Sequence, residues 1–141
     1  MLAIEDKLVL FGGYDDVETK APIDEDGKIW IFDPTSLKWS HMEPVSDKIP
    51  SRHSHAAVAF GRSIIIHGGH TSTSSSTPAA DTWQFSMGSH AWAELPNVSS
   101  STDSATLIPQ APPTFAIASN ILYLITPSPS CLLYTSPSPR D

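Results

Sequence analysis

Histidine is the residue type with the widest chemical reach in this sequence. His53 and His55 stand two apart in a segment read as extended, so both side chains are expected on one face. His67 and His70 flank the glycine pair Gly68-Gly69 a short way downstream. Imidazoles grouped in this way could hold a first-row transition metal. Against that, His67 and His70 straddle a turn and no carboxylate lies close by in sequence, so a metal at His53, His55, His67 and His70 is the secondary reading and no cofactor is expected. Other chemistries lack their motifs. No GxGxxG or GxxxxGK[ST] phosphate loop occurs, and no serine sits in a GxSxG elbow. A single cysteine, Cys131, excludes an internal disulfide framework and a cysteine-based zinc site.

Charge is the second signal. Formal net charge over the 141 residues is −7, and it is unevenly spread. Asp15, Asp16, Glu18, Asp24, Glu25 and Asp26 crowd the first part, whereas residues 51–130 contain only Asp81, Glu94 and Asp103. Such a run is ordinarily a solvated loop, and it also suits a basic partner. An acidic chain without a basic patch argues against nucleic acid as a partner. No apolar run approaches the ~20 residues of a membrane-spanning helix. Met1 leads through Leu2-Ala3-Ile4 into Glu5-Asp6, which is not the pattern of a secretory signal. Residues 72–76, with Ser74 at their centre, form a serine/threonine tract read as a flexible loop open to kinases. Asn97-Val98-Ser99 is a glycosylation triplet of a kind common by chance.

The elements that must position these residues are strands. The apolar runs are short: Leu8-Val9-Leu10-Phe11, Ile29-Trp30-Ile31-Phe32, Ala56-Ala57-Val58-Ala59-Phe60, Ile64-Ile65-Ile66, Trp83-Gln84-Phe85 and Ile121-Leu122-Tyr123-Leu124-Ile125. Each is rich in β-branched or aromatic residues and bounded by Gly, Pro, Asp or Ser, and none shows a sustained helical period. The fold class is therefore all-β. The runs also repeat. Trp30-Ile31-Phe32 recurs as Trp83-Gln84-Phe85 at an offset of 53, Trp39 recurs as Trp92 at the same offset, and Gly12-Gly13 recurs as Gly68-Gly69.

This pattern resembles the kelch repeat, whose marks are a strand ending in a glycine pair, an aromatic strand and a spaced tryptophan. The unit from about Pro50 to Asn97 carries the full set: Arg52-x-x-His55, Gly68-Gly69, Asp81-Thr82-Trp83-Gln84-Phe85 and Trp92. The preceding unit opens inside its first strand and lacks counterparts of Arg52 and His55. The third unit departs from the pattern where its glycine pair is due, since Thr126-Pro127 follows Ile125. The resemblance covers roughly residues 2–126 and implies a partial β-propeller of about two and a half four-stranded blades. The expected divisions are an incomplete first blade (1–46), a full blade with its exit loop (47–107), a partial third blade (108–130) and a terminal segment (131–141). That segment, Cys131 to Asp141, looks like one reading frame of a transposase-type sequencing adapter and is expected to lie outside the fold. Both ends of the natural part are accordingly expected to be truncated.

The resemblance implies a protein-interaction scaffold with a protein partner and no catalytic constellation. It also leaves a second class open, a propeller enzyme or metal-dependent specifier of the galactose-oxidase-like type. A copper radical oxidase of that type requires a tyrosine cross-linked to a cysteine, which the lone Cys131 does not supply. Trp30, Trp39, Trp83 and Trp92 are assigned to the spaces between blades, and His55 to a structural hydrogen bond. In a four-stranded meander the link after the second strand and the link to the next blade emerge on one face. Segments 14–28, 44–51, 70–80 and 96–112 therefore share a face, opposite the short turns near 34–38 and 61–62. Long loops on a rigid scaffold are where recognition concentrates. Asp15, Asp16, Glu18, His70 and Ser74 are the residues expected to meet the partner.

Overall fold

Ser63-Ile64-Ile65-Ile66-His67 is apolar on both faces of a strand, a pattern that requires cover on both sides. In the computed structural model this segment is the second strand of a middle sheet, with all three isoleucines buried. The structure describes residues 1–19, 23, 27–46, 49–71, 78–96, 114–125 and 136–137. Eleven strands run through them: β1 (Leu2–Ile4), β2 (Lys7–Leu10), β3 (Ile29–Asp33), β4 (Lys38–Met42), β5 (Ala56–Phe60), β6 (Ser63–His67), β7 (Thr82–Ser86), β8 (Ala91–Leu95), β9 (Thr114–Ala118), β10 (Ile121–Ile125) and β11 (Ser136–Pro137). No helix occurs among the described residues.

The strands form three antiparallel sheets in chain order, β1-β2-β3-β4, β5-β6-β7-β8 and β11-β10-β9. The first sheet has four strands, where the sequence pattern predicts an incomplete blade: its first strand is three residues long and pairs Leu2, Ala3 and Ile4 with Val9, Leu8 and Lys7. The third sheet contains the two expected strands. Along the free edge of β10, Ser136–Pro137 of the terminal segment pair with Leu122 and Ile121. An open edge presents unpaired backbone groups and takes an extended segment readily.

Side-chain alternation along β6 holds the blades together. Ile64 and Ile66 face the first sheet, where they join Ile4, Val9, Ile29, Ile31, Ile49, Phe85 and Trp92 in one buried cluster. Ile65 faces the third sheet and packs with Phe60 and Leu122. Tight turns link β1 to β2, β3 to β4, β5 to β6, β7 to β8 and β9 to β10, with Glu5, Leu37, Gly61, His90, Ser119 and Asn120 at positive φ. Asp33 organises one of them: its Oδ1 accepts hydrogen bonds from the Thr35 and Ser36 N–H groups at 2.8 and 3.3 Å. Those two bonds and the Lys7 ammonium lower its carboxyl to a pKa of about 2. The remaining links, residues 11–28, 43–55, 68–81 and 96–113, join strand ends on the opposite face.

One assignment to the interior is corrected. Trp92 is 5% exposed and Phe85 is fully buried, but their repeat equivalents Trp39 and Phe32 are not: Trp39 is 50% exposed and Phe32 half-buried. Both pairs have the same ring separation, 5.1 Å. The first blade covers Phe85 and Trp92, while among the described residues nothing covers the corresponding face of the first blade.

Candidate interaction rim

The two glycine pairs begin the long links. Gly12 and Gly13 have φ of +63° and +126°, and Gly68 and Gly69 have +69° and +85°, a region that side chains other than glycine enter at a cost. Space is short as well. A Cβ at Gly12 would collide with the Arg52 carbonyl oxygen, and one at Gly69 would lie 2.6 Å from the His53 carbonyl oxygen. The second glycine of each pair then anchors the returning link. The Gly13 carbonyl accepts from Ile23 N–H at 3.1 Å, and the Gly69 carbonyl accepts from Ala79 N–H at 2.8 Å. Gly13 N–H also donates to the Arg52 carbonyl at 3.0 Å, which ties the rim of the first blade to the entry of the second.

The residue after each glycine pair stands at the rim: Tyr14 in the first blade and His70 in the second. His53 lies between them. It pairs with His70 in an isolated antiparallel bridge, N–H to carbonyl in both directions at 3.0 and 2.9 Å. The His53 and His70 rings stack at 5.3 Å with 20° between planes, and Tyr14 meets His53 edge-on at 5.5 Å. A row of three rings thus crosses the seam between two blades. His53 is 6% exposed and forms its floor, while Tyr14 is 41% exposed. Asp15, Asp16 and Glu18 follow Tyr14, all exposed, with the Asp16 carboxylate accepting from Glu18 N–H at 2.8 Å.

A half-buried ionic network lies beneath the rim. Arg52 is wholly buried, and its two terminal nitrogens reach the two Asp81 carboxylate oxygens at 2.7 and 3.0 Å. Arg52 also donates to the Gly68 carbonyl at 3.0 Å, and the Trp83 indole N–H donates to Asp81 at 2.6 Å. Burial alone would raise the Asp81 carboxyl, but the Arg52 and Trp83 hydrogen bonds outweigh it and hold the group below its usual range. Arg52 therefore fixes the carbonyl of the glycine pair and, through Asp81, the indole of Trp83. In the first blade Lys28 occupies the position of Asp81, with its ammonium 5.7 Å from the centre of the Trp30 ring and 3.3 Å from Glu43.

The four histidines do not assemble into one site. Ser54 at φ +55° lies between His53 and His55, so the two do not share a strand face. His55 packs against Phe11 at 5.4 Å; its Nδ1 is buried without a hydrogen-bond partner, while the ring also meets the Arg52 backbone in a hydrogen bond that acts on its titration. Burial, reinforced by the Arg52 charge, lowers its pKa to about 4. His67 Nδ1 lies 2.8 Å from Thr82 Oγ1, and burial lowers its pKa too. Among the described residues no three His, Cys, Asp or Glu side chains form a group suited to a metal ion. Ser74, the Asp24-Glu25-Asp26 run and Cys131 lie outside the described residues.

Comparison with known proteins agrees with this geometry. A family model described as the KLHDC2/KLHL20/DRC7 Kelch-repeats domain matches residues 1–124. The chain belongs to the kelch-repeat family. Among curated proteins it is similar to Rab9 effector protein with kelch motifs, 39% identical to the Homo sapiens protein over 67 residues, 40% to that of Mus musculus and 36% to that of Xenopus laevis. Each match covers 48% of this chain and 17–18% of the relative, so the shared region spans under a fifth of those proteins. The kelch marks read from sequence, Gly12, Gly13, Arg52, Gly68, Gly69 and Trp83, converge beneath or beside the rim, and Trp92 joins the two blades. Tyr14 and the pairing of Asp81 with Arg52 were not singled out. The equivalence of Tyr14 and His70, each following a glycine pair, was the available signal for the first.

Proposed function

We propose that this chain is part of a kelch protein-interaction scaffold that binds its partner through the face carrying the long inter-strand links, and that it is not catalytic. The observation that carries the reading is the asymmetry of the two faces. One has tight turns throughout; the other has the long links, tethered at the glycine pairs and supported by Arg52 and Asp81. Rigid blades with long loops on one face suit recognition, because the scaffold meets the ordering cost before the partner arrives. The matched relatives are named as Rab9 effector proteins, which supports a protein as partner.

The test compares substitutions on the two faces in the intact protein. Tyr14→Ala with His70→Ala alters the rim, whereas Leu37→Gly with Arg62→Gln alters the turns. Proteins that co-purify with the unaltered form are quantified by mass spectrometry. The rim pair should deplete a reproducible subset at least tenfold while the turn pair leaves it in place; depletion by the turn pair alone would refute the reading.

A further inference from the structure

We propose that the seam row of Tyr14, His53 and His70, with the carboxylates of Asp15, Asp16 and Glu18, receives an arginine-bearing extended segment of a protein partner. The inference rests on the reading of this face as the binding face and names the chemistry it takes. The geometry supplies a stacking platform. Tyr14 stands nearly perpendicular to His53, at 85° between planes, and is 41% exposed, which leaves part of the residue accessible to a planar group. His53 and His70 are locked to each other by two backbone hydrogen bonds, which fixes the floor on which such a group would lie. The platform crosses from one blade to the next, along a line that suits a segment lying over the seam.

Charge selects the planar group. Among the described residues of this face, the lysine and arginine side chains are already engaged: Arg52 is buried against Asp81, and Lys28 lies 3.3 Å from Glu43. The exposed charges beside the platform are the acids Asp15, Asp16 and Glu18. A guanidinium is flat, stacks on an aromatic face and pairs with carboxylates through a fixed fork, whereas an ammonium does only the Coulombic part. An acidic or phosphorylated segment would meet carboxylates instead.

The experiment uses the intact protein and fluorescein-labelled ten-residue peptides in which glycine alternates with arginine, lysine or glutamate, read by fluorescence anisotropy at two salt concentrations. The arginine peptide should bind several-fold more tightly than the lysine peptide, and the glutamate peptide should not bind. Tyr14→Ala should weaken arginine-peptide binding by about tenfold, a loss within the range of one cation–aromatic contact, and Tyr14→Phe should restore it. The triple variant Asp15→Asn, Asp16→Asn, Glu18→Gln should weaken binding and flatten its salt dependence. Thermal unfolding of each variant separates a lost contact from a lost fold. Equal binding of arginine and lysine peptides with no effect of Tyr14→Ala, or no arginine-peptide binding at all, would overturn the proposal. If the arginine peptide fails while the rim substitutions still deplete natural partners, the inference alone falls and the face assignment stands; if both fail, both fall.

Discussion

His55 shows how a residue that could do chemistry in sequence is used for packing in the fold. It is wedged between the two glycine pairs, against Phe11, with the buried Arg52 cation nearby. Its folded pKa of about 4 lies below the ordinary value of 6.5, so the unfolded chain binds the extra proton first. Stability is thus undiminished by His55 above about pH 6.5 and is lost as pH falls toward 4, a loss on the order of 3 kcal/mol. Carboxylates titrate over part of the same range, and a variant isolates the histidine. Unfolding curves of the natural protein and of His55→Phe should diverge between pH 6.5 and 4, with the natural protein losing more; parallel curves would show that His55 does not carry this acid sensitivity. The residue type and its place in Arg52-x-x-His55 were legible in sequence. Its unpartnered buried Nδ1 was not, because burial of one ring nitrogen depends on how Phe11 and the two glycine pairs close around the ring, a tertiary outcome.

At the scale of the element, the blades were legible because their periodicity is strong. Each apolar run of the sequence falls on a strand, and the continuous Ile64-Ile65-Ile66 run is explained by neighbours on both sides. The offset of 53 between the tryptophan units identified Trp39 and Trp92 as equivalents but could not show that only Trp92 is covered. Trp92 is held by packing against Phe11 and Phe85 and by its indole N–H, which donates to the Gly27 carbonyl at 2.8 Å. Its backbone N–H donates to Ser46 Oγ at 2.7 Å, so one residue binds its blade to two links of the preceding one. Trp92→Ala should cost about 3–5 kcal/mol, the range for emptying a large buried aromatic site. Trp39→Ala, which removes a half-exposed ring, should cost about 1 kcal/mol or less in this chain. Equal losses in chemical denaturation of the two variants would mean that Trp92 does not bridge the blades.

For the molecule as a whole, the fold class, the repeat and the division into two faces followed from the sequence, since an antiparallel meander leaves no choice about where its links emerge. What the sequence did not disclose was that Tyr14 and His53 join His70 in one row of rings at the rim. Tyr14, His53 and His70 come from three separate stretches and meet only because two glycine pairs turn the chain at equivalent points in neighbouring blades. The central claim is that partners dock on that rim and not on the turns. The most direct measurement places a photoreactive phenylalanine analogue singly at Tyr14, His70, Leu37 or His90 of the intact protein, irradiates it in cell extract and maps the adducts by mass spectrometry. The same partner should cross-link from positions 14 and 70, with no adduct to it from 37 or 90. A partner captured from 37 or 90 and absent from 14 and 70 would contradict that claim.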